Sequence, residues 1–292
     1  MTLCFAAFVV LTAPVFAVTL EQYARQQPLP LFVAAKGTVM PNHVDQTNNL
    51  QEGDKALLLS EKGLSDLVGI SRLQVIDEGK PIPITSVRRL HLFVNRNEIS
   101  ELPDEIAALD NVVFLYCEYN RMSTLPRALL DMDGLEGMYF TANRFTEIPP
   151  LVFDMVRLKK LQFSKNRISS LPVEIGRLKE LRHFNMAGNR ITHIPASMAN
   201  LKRLRVCDLS DNPFAELPEE FGQVQIVNQL RVRNTGLTRL PEGFATMRAT
   251  IDVTGSKIDV AALPPAMRAR INKEKPPGSK EDNKIIVRKP QE

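Results

Sequence analysis

The residues best suited to chemistry in this chain of 292 amino acids recur at a fixed interval. Phe93, Tyr116, Tyr139, Gln162, Asn185, Asp208 and Arg231 follow one another in steps of 23 residues. The first three are aromatic and the last is an arginine, and Tyr and Arg are enriched where binding energy concentrates. The chemistry they offer is recognition. His91, Phe114, Glu118 and Tyr119 belong to the same two segments as Phe93 and Tyr116, so three of the four tyrosines are gathered between positions 116 and 139. Further along, the corresponding stretches turn polar and charged, with Lys160, Lys165, His183, Asp208, Asp211, Arg231 and Arg233.

Bond-making chemistry has no comparable signature. The sequence contains no GxxxxGK[ST], no GxGxxG after a strand, no HExxH and no paired CxxC. Of the four histidines, His43, His91, His183 and His193, the second and third stand four intervals apart, which does not assemble a metal site. No local pattern brings a nucleophile beside a base. No catalytic residue, metal or cofactor is expected.

The elements that must position the aromatic series are set by the same rhythm. Leu-Pro or Ile-Pro occurs with its proline at 103, 126, 149, 172, 195, 218, 241 and 264, again at intervals of 23. Six residues before these prolines stand Asn97, Asn120, Asn143, Asn166, Asn189 and Asn212, and then Thr235. Apolar residues lie five and three before each Asn and two and five after it, as Leu161, Phe163, Ile168 and Leu171 do around Asn166. The alternation before the Asn is that of a strand with one buried face. The proline suits the first position of a short helix, where its missing donor is not needed. An amide at each Asn can satisfy backbone groups leaving the strand, whose burial unpaired would cost about 1–3 kcal/mol each. Stacked asparagines would form a structural ladder, and the self-similarity as a whole signals a solenoid.

The frame LxxLxFxxNxIxxLPxxIxxL resembles the leucine-rich repeat in its 23-residue Leu-Pro form, over roughly residues 88–267. That resemblance implies an α/β solenoid, a horseshoe with a parallel β-sheet on the concave face and short helices or 3₁₀ turns on the convex face. Residues 56–87 keep Leu57, Leu59, Leu64 and Leu67 in phase but carry an insertion, and are read as an N-terminal capping repeat, which solenoids require to cover the end of the core. Residues 18–55, with Pro28, Pro30 and Pro41, are read as an irregular lead-in, and 268–292 as a flexible basic tail. In such a frame Cys117 and Cys207 occupy buried strand positions four repeats apart, roughly 19 Å by strand spacing. A disulfide needs Cα atoms within about 7 Å, so they are expected to be unbridged.

Residues 1–17 are uncharged and largely apolar and end in Val15-Phe16-Ala17, as a cleaved secretory signal does, with an uncleaved membrane anchor as the alternative. The chain is thus expected in a secreted or periplasmic compartment, as a bacterial secreted or envelope member of the family. The net charge of +4 is that of the segment after residue 267, so the repeats are near neutral. Nucleic-acid binding is not expected, whereas the tail suits an anionic envelope surface. The functional expectation is a monomeric, non-catalytic scaffold that takes a protein or peptide partner on its concave face. His91, Phe93, Phe114, Tyr116, Glu118, Tyr119, Tyr139, Gln162 and Arg231 are the candidate contacts, with Phe93, Tyr116 and Tyr139 as exposed anchors. Two rival readings are a secreted effector and an architectural envelope protein that self-associates or contacts cell-wall polymer. For the aromatics, the rival is a ladder that only stabilises the sheet.

Overall fold

The computed structural model describes residues 18–25, 29–33, 53–224 and 226–272. The expected signal segment and nearly all of the expected tail lie outside the described residues. A short helix α1 (Leu20–Ala24) precedes strands β1 (Leu29–Val33), β2 (Lys55–Leu58), β3 (Gln74–Asp77) and β4 (Lys80–Pro83). The repeats then contribute β5 (Leu90–Phe93), β6 (Val112–Tyr116), β7 (Gly137–Tyr139), β8 (Lys160–Gln162), β9 (His183–Asn185), β10 (Val206–Asp208) and β11 (Gln229–Arg231). Beyond them come β12 (Thr250–Asp252), a second short helix α2 (Pro265–Arg268) and β13 (Ile271–Asn272). From β2 through β5 to β13 the strands pair in parallel, each with the next repeat. The chain is a leucine-rich-repeat solenoid.

Each repeat closes in the same way. After the strand, a residue in the left-handed region turns the backbone just before the Asn, at Arg96, Tyr119, Ala142, Lys165 and Asp211 with φ near 55°. The chain then runs extended to the proline and makes one 3₁₀ turn, such as Val173–Arg177 after Pro172. The proline sits one position before the turn rather than at its first residue. Its ψ is extended, and its carbonyl accepts the first 3₁₀ hydrogen bond of the turn, from the Ile175 N–H at 3.2 Å. The convex elements are these 3₁₀ turns; the two α-helices lie near the ends.

The core is one continuous column inside the solenoid, built from the strand positions that face away from the concave side. Leu92, Leu115, Met138, Leu161, Phe184, Cys207, Leu230 and Ile251 are fully or almost fully buried there, at 0 or 1 % exposure. A second aromatic layer, Phe140, Phe145 and Phe163, fills the space toward the Asn turns with ring centroids 4.9–5.6 Å apart. Turn-to-turn contact is tight enough that a Cβ at Gly222 would meet the Cα of Gly243 at 2.9 Å.

The Asn side chains tie each repeat to the one before. Asn166 accepts from the Phe145 N–H at 3.1 Å and donates to the carbonyls of Phe140 at 2.9 Å and Phe163 at 3.0 Å. Asn97, Asn120, Asn143, Asn189 and Asn212 make the equivalent bonds to their neighbours. Thr235 donates only within its own repeat, to Val232 O at 2.9 Å.

The segment expected to be an irregular lead-in carries structure. Helix α1 has a capping box between Thr19 and Gln22, and β1 joins β2 in antiparallel register. Alternation in Leu-Pro-Leu-Phe-Val was masked by Pro30, which β1 accommodates. The insertion within the first capping repeat forms the β3–β4 hairpin, with β3 parallel to β1. This caps the N-terminal end of the core with Leu20, Leu29, Leu73 and Val75.

Candidate functional site

Parallel register places the sequence series on one face. Phe93 pairs with Tyr116, Tyr116 with Tyr139, Tyr139 with Gln162, and the same column continues through Asn185, Asp208 and Arg231. Two residues earlier, His91, Phe114, Gly137, Lys160, His183, Val206 and Gln229 form a parallel column. These two columns are the concave surface, separated from the main core by the sheet itself. Phe93, Phe114, Tyr116 and Tyr139, with Ala56 and Val113, form an apolar cluster of their own.

The rings in that cluster are stacked. Centroids of Phe93 and Tyr116 lie 4.1 Å apart with planes at 4°, and Tyr116 and Tyr139 lie 4.6 Å apart. His91 stacks on Phe114 at 4.8 Å. Gly137 leaves room for this: a Cβ there would meet the Phe114 ring at 2.4 Å.

Here the expectation of exposed anchors is corrected. Phe93, Tyr116 and Tyr139 are only 3, 1 and 0 % exposed. His91, Phe114, Glu118 and Gln162 are buried as well. The residues face the concave side, where the rings of Phe93, Tyr116 and Tyr139 stack each on the next, yet all three are buried. Of the candidate contacts, Tyr119 and Arg231 are the two that remain half-buried. Tyr119 stands outside both columns, at a turn, with the Arg96 guanidinium 4.9 Å over its ring.

At the foot of the aromatic cluster a polar chain runs inward. The Arg89 Nε donates to Asp54 Oδ1 at 2.9 Å, His91 Nε2 meets Asp54 Oδ2 at 3.0 Å, and Tyr116 Oη lies 3.4 Å from His91 Nδ1. With Nε2 carrying the proton, His91 donates to the carboxylate and accepts from the tyrosine. Burial lowers the His91 pKa to about 4, against the upward pull of Asp54 and with help from Arg89. The imidazole is neutral at physiological pH. Asp54 precedes the expected capping repeat and has no periodic signal, so this chain was not legible in the sequence.

The polar half of the concave face is open. Asn185, Val206, Asp208, Gln229, Arg231 and Arg233 are half-buried. Asp208 accepts from Arg231 at 3.4 Å, and Arg233 lies 3.5 Å from Asp252. Asn185, Asp208 and Arg231 continue the aromatic column, and their register was readable from the interval of 23.

Among the described residues no group of three or more His, Cys, Asp or Glu side chains could hold a metal ion. Cys117 and Cys207 are buried, free thiols. Burial first, then the neighbouring Glu118 and Asp208 charges, raise their pKa values, which suppresses the thiolate a nucleophile or metal ligand requires.

Comparison with known proteins agrees with this architecture. The leucine rich repeat family model matches residues 133–191 and 156–214. Internalin C2 from Listeria monocytogenes superposes with a TM-score of 0.54 at 14 % identity, over 67 % of this chain and 80 % of that one. A second Listeria monocytogenes internalin, internalin F, gives a TM-score of 0.50 at 19 % identity, over 75 % of this chain and 59 % of that one. A Leptospira interrogans leucine-rich-repeat protein, 20 % identical, covers 74 % of this chain and 76 % of its own with a TM-score of 0.48. No curated protein matches in sequence. Residues 133–214 thus match leucine rich repeats in sequence, and the chain's likeness to the internalins is one of fold. No helix among the described residues is long and apolar enough to cross a membrane.

Proposed function

We propose that the protein is a non-catalytic scaffold that binds a protein or peptide on its concave face, through the polar rungs β9–β11. The observation that carries this reading is the change in accessibility along one column: Gln162 is buried, whereas Asn185, Asp208 and Arg231 in the same register are half-buried. Those side chains have no packing duty in the core and present amide, carboxylate and guanidinium groups in a row. Such a row suits a polar, mixed-charge peptide. The stacked aromatics hold the neighbouring half of the face rigid, so the polar rungs are preorganised for contact, which reduces the ordering cost of association. Secretion or periplasmic residence is part of the proposal and rests on the composition of residues 1–17.

A cross-linking pull-down from envelope or host extract tests the reading, with wild type beside Asp208→Ala/Arg231→Ala. Partners retained by wild type and lost by the double variant support it. Equal capture by both, from a variant with unchanged thermal unfolding, sinks it. Concentration-dependent light scattering of the pure protein separates the binder from the architectural alternative, because a self-associating horseshoe would not remain monomeric.

A further inference from the structure

The concave face is not the only regular surface that the interval of 23 creates. Immediately after Asn120, Asn143, Asn166 and Asn189 the chain places Arg121, Arg144, Arg167 and Arg190, in four successive repeats. Each arginine N–H donates to the preceding repeat at 2.8 Å, to Ile99, Met122, Phe145 and Ile168. The row is therefore in register, with one guanidinium per strand spacing of about 4.8 Å. All four are exposed.

Several charges elsewhere pair from repeat to repeat. Glu136 pairs with Lys159 at 2.9 Å, Asp154 with Arg177 at 2.9 Å, Asp208 with Arg231 at 3.4 Å and Glu180 with Arg203, always with the acid 23 residues earlier. Arg121 follows that rule with Glu98 at 3.3 Å. Behind Arg144, Arg167 and Arg190 stand only further arginines, and these three make no ion pair among the described residues. Like charges one strand apart are destabilising. This row carries an electrostatic cost that those paired positions avoid.

A second row runs beside it. Ser123, Thr146, Ser169 and Thr192 follow the arginines by two residues and are exposed, while Met122, Phe145, Ile168 and Ile191 between them are fully buried. Side chains at i and i+2 in extended backbone point the same way. The edge of the solenoid therefore presents a line of guanidiniums alongside a line of hydroxyls.

We infer that this edge binds an anionic polysaccharide bearing sulfate or phosphate groups, laid along the solenoid axis. Guanidinium forks match such tetrahedral anions bidentately, and the adjacent hydroxyls can exchange hydrogen bonds with sugar hydroxyls. A nucleic acid would seek aromatic platforms for its bases, which neither row supplies; Tyr119 nearby is already covered by Arg96. A membrane surface would call for apolar side chains to insert, and both rows are polar. This inference is independent of the concave-face reading.

The test is titration of the full chain into a labelled heparin-derived oligosaccharide. Arg144→Ser/Arg167→Ser/Arg190→Ser is compared with Arg182→Ser/Lys202→Ser/Arg205→Ser. The latter removes equal charge from a different group of basic residues, which lines a hollow of about 310 Å³. The first variant should weaken binding by at least about tenfold and the second by less than about twofold. Raising salt from about 50 to 200 mM should weaken the wild type more than the first variant. Absence of wild-type binding at low salt, or equal losses in the two variants, would overturn the site. Tighter binding of a charge-matched single-stranded oligonucleotide, or of vesicles containing anionic lipid, would overturn the choice of ligand.

Discussion

Strands β5–β7 and strands β9–β11 share one parallel sheet and one side-chain register, yet one set is buried and the other half-exposed. At equivalent column positions stand Phe93, Tyr116 and Tyr139 on one side and Asn185, Asp208 and Arg231 on the other. The difference lies in the side chains. The rings of the first set stack at 4.1–4.6 Å and are buried, whereas the polar side chains of the second are half-buried. Position on a concave face thus does not by itself make a residue available to a partner.

Replacing Tyr116 with Ala is the strongest way to break this comparison. The ring touches aromatic neighbours on both sides and is 1 % exposed. Its removal should cost about 3–5 kcal/mol in a urea unfolding experiment, comparable to Leu161→Ala at about 2–5 kcal/mol in the core proper. A loss below about 1 kcal/mol for Tyr116→Ala alone would return the aromatics to the role of surface anchors.

Acid should sharpen the contrast, because the sealed half contains His91. Its pKa falls from 6.5 to about 4 on folding. Between those values the unfolded chain holds a proton that the folded chain excludes, so this contribution is complete above pH 6.5 and is lost as pH falls toward 4. The loss amounts to about 3 kcal/mol across that window. His91→Gln should flatten the profile of stability against pH there, measured by urea midpoints at successive pH values, while variants in β9–β11 should leave its shape unchanged.

The asparagine ladder runs under both halves and should respond alike in each. Asn120→Ala beneath the sealed half and Asn189→Ala beneath the open half each strand a buried N–H and two carbonyls. Each should lose about 1–3 kcal/mol in thermal unfolding. A large difference between them would mean that the aromatic stack, and not the shared backbone frame, carries the local stability.

The frame was legible because it repeats. The spacing of Leu161, Phe163, Asn166, Ile168 and Pro172 specifies strand, turn and connection at every rung, and with them the column that holds the candidate contacts. Alternation tells which side of a sheet a residue faces, but it carries no information on how completely that side is covered, and so the sequence alone makes Tyr139 look open although it is buried. Nor could periodicity reveal the cap. Helix α1, β1 and the β3–β4 hairpin occur once, and Asp54 reaches His91 across 37 residues of sequence through pairing that no interval announces.

The smallest expected effect on stability is the one that bears most on function. Arg231 is more than a third exposed and meets Asp208 at 3.4 Å, so solvent screens the pair and Arg231→Ala should cost at most about 1 kcal/mol. If the open half is the docking surface, the same substitution should weaken a captured partner by about tenfold or more, since a charge-assisted hydrogen bond across an interface contributes about 1.5–3 kcal/mol. Isothermal titration beside urea unfolding separates the two quantities. Tyr116→Ala should show the reverse proportion, a large loss of stability with affinity reduced only as far as the folded fraction falls. Were Arg231→Ala to leave affinity unchanged, the accessible rungs would be merely solvated, and the partner would have to meet the solenoid elsewhere.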